Sequence, residues 1–373
     1  MVKYQLSDFK ENPDVFPDVT LLATVKSFNL REIRNRYNES RKRGKAGSIE
    51  RRPPAVGGLV RLDIRNGTNN YQNILGKYTE ARGIAFHQGQ LAISSEDKIL
   101  IFSETSPEPI IIQNPWFSYI HTVRWNSDNS ALLVASSGVD TIQEVSIPNG
   151  EILWEWVAWE HGLNQGENPA TGQKHFLTRD PEKADILRDS GEHVLVITNP
   201  KADTLPTALR AAFINSAEYD GKQRILATLF HEGKVIAIEK NTGEFQTVID
   251  GLTRPHGGLK FCKSYLVTDT AGGRVIRKDE TQSHEYVFTG LSGKHESVRD
   301  LEWLQTSHPY GNYLITIDSN RSAFIFYQLE QQSKLTIHFE PEWAVQDFVI
   351  ADSISAELLT HVTGWFKTNK IEE

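Results

Sequence analysis

The feature that most restricts what this chain can fold into is a four-part unit, clearest in residues 120–157: IHTVRWN, ALLVAS, TIQEVS and EILWEWV. Each part is short, apolar or alternating, and closed by Gly, Asn, Asp or Ser, the pattern of a four-stranded antiparallel meander. One meander cannot bury both of its faces, so such units must stack on further copies of themselves.

Further copies are present. Segments equivalent to the first strand are RGIAF from Arg82, HTVRW from His121, NSAEY from Asn215, HGGLKF from His256, RDLEW from Arg299 and QDFVI from Gln346. Their spacing is roughly the 40 to 50 residues of a propeller blade, except between 121 and 215, where we place an insertion at 158–209. Second and third strands follow in pairs: QLAISS and KILIFS, RILATLF and KVIAIE, YLVTD and RVIRK, NYLITID and AFIFYQ. QDFVI has no strands after it, and VTLLATVK, GGLVRLDI and NYQNIL have no inner strand before them, so the two sets are expected to share one blade. The expectation is an all-β, six-bladed β-propeller over 1–373, closed by a composite N-/C-terminal blade. Two insertions, 28–56 and 158–209, are expected on the channel-mouth side. A short C-terminal helix is expected in 352–373, with Leu358, Leu359, Val362, Trp365 and Phe366 on its packed face.

Composition sets limits. With 39% hydrophobic and 24% charged residues the chain is of ordinary globular type. No apolar run approaches the ~18 residues of a membrane helix. The N-terminus lacks a secretory h-region, and a single cysteine, Cys262, can form no internal disulfide, so a cytoplasmic location and an inert buried thiol are expected. A net charge of −8 argues against wholesale nucleic-acid binding, and no membrane partner is expected.

In a propeller the residues that begin the inner strands converge on the axis. That ring would be Arg82, His121, Asn215, His256, Arg299 and Gln346, none of them apolar, where strand composition favours Val, Ile and Thr. Polar channel walls without further purpose are the bland reading. The functional one is a small anionic molecule clamped by Arg82 and Arg299, worked on by His121 and His256 as acid and base, and oriented by Asn215 and Gln346. His231, Asp269 and Asp318, in turns after second strands, form a second tier, and His161 lies in the possible cover at WVAWEHGLN. His121, His231 and His256 offer the donor count of a divalent-metal site, the signature of an alternative lyase or hydrolase. The basic run LREIRNRYNESRKRGKAGSIERR reads as a solvated hairpin, as an electropositive rim, or, over 31–52, as the docking surface of a non-enzymatic scaffold for a protein partner.

HTVRWNSDNSALLVASSGVDTIQEVSIPNGEILWEW resembles a blade of the arylsulfotransferase-type propellers, and RPHGGLKF is similar to inner strands of virginiamycin B lyase-like and NHL-type propellers. Gluconolactonase and strictosidine synthase relatives belong to the same broad group. The resemblance implies a site at the channel mouth and, for sulfotransfer, a histidine nucleophile at His121 or His256. The Glu, Asn and Asp set of a lactonase calcium site is matched only at Asn215.

Overall fold

The computed structural model describes residues 1–369, so the end of the 352–373 tail lies outside the described residues. Six sheets of four sequence-ordered strands account for nearly all of the strand structure. Their inner strands are Val345–Ile350, Ile84–His87, Ile120–Trp125, Ile214–Asp220, His256–Phe261 and Leu304–Tyr310, and we number the blades 1 to 6 in that order. Each inner strand contacts the next, and the sixth contacts the first, so the ring is closed.

Six apolar clusters fill the spaces between successive blades. One packs Leu21 and Val60 of blade 1 against Ile315 and Phe326 of blade 6, so the last blade meets the first as fully as any other pair. The chain itself makes the closure, because Val345–Ile350 pairs antiparallel with Val19–Val25 inside blade 1. Two additions were not expected from the sequence. Val2–Gln5 and Lys10–Glu11 lie parallel to the outer strands of blades 5 and 6 and cover two of the open edges.

Blade 6 corrects the sequence reading. RDLEW is no strand: Glu296–Val298 is a 3-10 turn, Arg299 caps it, and the inner strand begins at Leu304. The true strand, LQTSHPY, does not read as one in the sequence, because Pro309 breaks a strand pattern. An inner strand has a neighbour on one side only, so the missing N–H at Pro309 can face away from the ladder.

The 158–209 insertion contributes a three-stranded sheet, Gln165–Glu167, Lys174–Thr178 and Val194–Val196, and a helix, Pro181–Asp189. Asp180 caps that helix by accepting from the N–H groups of Glu182 and Lys183. The basic insertion is a helix, Leu30–Lys42, whose Asn29 cap accepts from Glu32 N–H. Cys262 is exposed, in a turn with φ 56°, and not buried as expected.

The C-terminal helix, Ala356–Thr368, seats Leu358, Val362 and Phe366 on the wall between blades 1 and 2. Phe366 stacks on Tyr78 at 5.4 Å between ring centroids, over Gly76. A Cβ at Gly76 would lie 2.1 Å from the Phe366 ring. Gly76→Ala should therefore push the helix off its seat and cost about 1–3 kcal/mol in denaturant unfolding. An unchanged unfolding midpoint would contradict this packing.

Candidate functional site

All the inner strands but Ile84–His87 start with a break in register that turns side chains into the axial channel. The ladder slips between Ile120 and Thr122, between Ile214 and Ser216, between Leu304 and Ser307, and between Val345 and Asp347. The residues at these bulges are His121, Asn215, Gln305 and Gln346, re-aimed as bulged residues are. Two positions upstream of the ring residues in blades 2 to 5 stand Glu80, Tyr119, Phe213 and Arg254, at φ 50°, 48°, 49° and 60°. Left-handed backbone is unfavourable for such residues and concentrates at functional sites. Here it throws a second tier of large side chains toward the mouth.

Together these tiers line a cavity of about 310 Å³ whose roof is the helix Leu30–Lys42 and the segment 205–210 of the second insertion. The helix is tied across the opening. Arg34 Nη2 donates to the Ser319 carbonyl at 2.7 Å, Tyr37 packs edge-on against Trp303 at 4.5 Å, and Arg254 donates to the Tyr37 hydroxyl. The two insertions also bond each other, through Ala208 N–H to the Ser48 carbonyl at 3.0 Å.

Of the residues picked out in the sequence, Arg82, His121, His256 and Gln346 line this cavity. Asn215 stands behind it, donating from Nδ2 to the Pro255 carbonyl while its Oδ1 has no partner. Arg299 does not reach the channel. Its side chain is 77% exposed and pairs with Glu296, and Gln305 holds the ring position of blade 6. The second tier is framework. Asp269 accepts from Thr253 N–H and Arg274, Asp318 is bound by Arg321 at 2.6 Å, and His231 meets the Thr207 carbonyl at 2.9 Å. His161 stacks on Trp156 at 5.0 Å, away from the mouth. Among the described residues no group of three His, Cys, Asp or Glu is placed to hold a metal, and the His231 ring is engaged with the roof.

The cations that matter most were not singled out in the sequence. Arg210 is 4% exposed and lines the cavity. Its Nε donates to the Leu205 carbonyl at 3.2 Å, and its guanidinium lies 5.3 Å from the Tyr119 ring centre and 5.0 Å from that of Phe213. Its two terminal nitrogens have no hydrogen-bond or ion-pair partner among the described residues. Burial lowers its pKa to about 10, with Asp140 working in the opposite direction. Lys26, which directly follows the strand Val19–Val25, also lines the cavity and likewise has no side-chain partner. Burial first, then Arg82, brings its pKa down to about 7. Arg82, by contrast, is matched, with Nη2 at 2.7 Å from Glu80.

His121 and His256 have ring centres 6.1 Å apart. Burial, and for His121 also the adjacent Arg82 guanidinium, holds His121 well below its ordinary value, while burial brings His256 and His231 to about 3. All three are neutral at pH 7. Because their folded values lie below the unfolded value of about 6.5, the unfolded chain takes up protons first as pH falls. Stability should hold above pH 6.5 and decline below it, by up to about 1.4 kcal/mol per pH unit for each histidine. A denaturation midpoint that stays flat from pH 7 to 5 would contradict this burial.

No protein-family model matches the chain, and no curated protein matches it in sequence. Among solved structures, a chain of a nidogen/laminin complex aligns over 90% of this chain and 100% of its own, at 13% identity and a TM-score of 0.50. A protein of unknown function from Bacteroides caccae aligns over 90% and 99%, at 14% identity and a TM-score of 0.52. The shared feature is the β-propeller fold. A streptogramin B lyase aligns over 70% and 83% at 10% identity, and its TM-score of 0.43 is too low to carry an argument. No helix in the described residues is long and apolar enough to cross a membrane.

Proposed function

We propose that the roofed cavity at the channel mouth binds a small organic anion. Arg210 and Lys26 are its charge partners, and the neutral imidazoles of His121 and His256 are its hydrogen-bonding groups. The observation that carries this reading is the pair of unused terminal nitrogens on Arg210. A guanidinium this buried is strongly disfavoured unless something satisfies its donors, and a planar fork is matched best by a carboxylate or phosphate. Arg82, already neutralised by Glu80, shapes the wall beside His121, with Nη1 at 3.4 Å from the ring Nε2. The basic helix above adds positive potential at the entrance, which favours approach of an anion.

The test is a calorimetric titration with succinate, inorganic phosphate and 1,4-butanediol, the last being an uncharged counterpart of succinate. Saturable binding of an anion, with no heat from the diol, is the expected result. Equal binding of diol and succinate, or no binding of either anion at low ionic strength, would sink the reading.

A further inference from the structure

Among the described residues, Lys26 is the only amine that lines the cavity. Arg210 already supplies a permanent positive charge to the anion, so a lysine in the same cavity adds something that an arginine cannot: a nitrogen able to lose its proton and act as a nucleophile. Its stem is fixed. The Lys26 N–H donates to the Ala344 carbonyl at 2.9 Å. The neighbouring strand crosses so close that a Cβ at Gly57 would lie 2.6 Å from the Lys26 carbonyl. Arg82, Arg36 and Arg210 line the same cavity and disfavour protonation of the Lys26 amine, as burial does, while Glu80 favours it. A lysine without a side-chain partner, sharing a roofed cavity with guanidiniums, is the arrangement that keeps an amine reactive near neutral pH.

We propose that Lys26 condenses with the carbonyl carbon of an anionic aldehyde or ketone whose acid group is held by Arg210. This rests on the anion-binding reading above and names its substrate class. The Nζ lone pair attacks the carbonyl carbon, the π pair of C=O moves to oxygen, and a proton passes from nitrogen to that oxygen. The nitrogen lone pair then forms C=N while the hydroxyl leaves with the remaining N–H proton as water. No oxidant or reductant is consumed.

The experiment treats the full chain at pH 7 with glyoxylate or with propionaldehyde, each with sodium cyanoborohydride to trap the imine, and maps adducts by peptide mass. Glyoxylate should mark Lys26 on the order of a hundredfold faster than exposed lysines, whose amines are almost wholly protonated at this pH. Its rate should level off above pH 7 while the others keep rising. In Arg210→Met the glyoxylate rate at Lys26 should fall at least tenfold, and the propionaldehyde rate should not. Adducts spread over many lysines with no preference for Lys26 would overturn the proposal. If succinate or phosphate binds and Lys26 stays unmarked, this inference falls and the anion site stands. If neither anion binds and Lys26 stays unmarked, both fall.

Discussion

Arg210→Met should remove anion binding while leaving the protein as stable as before, or more stable. Truncating one partner of a buried charged hydrogen bond costs about 2–5 kcal/mol of binding, so succinate or phosphate affinity should drop between about thirtyfold and several thousandfold. The folded chain has the opposite balance. Burial brings Arg210 down from its ordinary value to about 10, which corresponds to about 3 kcal/mol against holding the charge. Packing on Tyr119 and Phe213 offsets part of this, and the Leu205 carbonyl would lose a donor. A methionine keeps most of the contact area, so the unfolding free energy should stay level or rise by up to about 2 kcal/mol. A variant that loses binding and stability together would show Arg210 to be a structural residue with its partners inside the fold.

The opposite outcome is expected deeper in the channel. Arg124 joins three blades, with Nε at 2.8 Å from Glu218 and Nη1 at 3.0 Å from Asp347, and His308 meets the other Asp347 oxygen at 2.7 Å. Burial alone would raise Asp347, but Arg124 and His308 outweigh it and hold the carboxyl below its usual range. Arg124→Met strands buried carboxylates and should cost about 3–5 kcal/mol, read as a lower denaturant midpoint at pH 7. The pH dependence should change as well. In the parent chain the Asp347 contribution is present above its unfolded pKa of about 3.9 and is lost as pH falls through its lower folded value. Without Arg124, burial is opposed by His308 and the Phe348 N–H, so the folded value of Asp347 should rise and the gap between variant and parent should narrow as pH falls toward the carboxylate range. A gap that is constant with pH would mean that Arg124 acts through packing alone.

Much of the ring was legible in the sequence because the first residue of an inner strand is fixed by the alternating pattern that follows it. His121, His256 and Gln346 lie at the starts of inner strands and line the cavity; Arg82 lines it from two residues before its strand, and Asn215 stands behind it. Arg299 failed because RDLEW imitates HTVRW in composition while the genuine strand carries a proline. Lys26 and Arg210 could not be read from periodicity, since their meaning lies in partners they lack. A partial signal did exist. Glu80 and Tyr119 each stand two residues before a ring position, and bulky residues there would be costly in left-handed backbone unless they served the mouth. The basic insertion was ambiguous for a related reason. Charge alone does not tell a solvated hairpin from a helix that is tied down at Arg34 and Tyr37.

The roof over the channel also bears on timing. Arg34 on the Ser319 carbonyl and Ala208 on Ser48 hold that roof down over the cavity. Loosening those ties should quicken arrival and escape together while leaving equilibrium occupancy almost where it was.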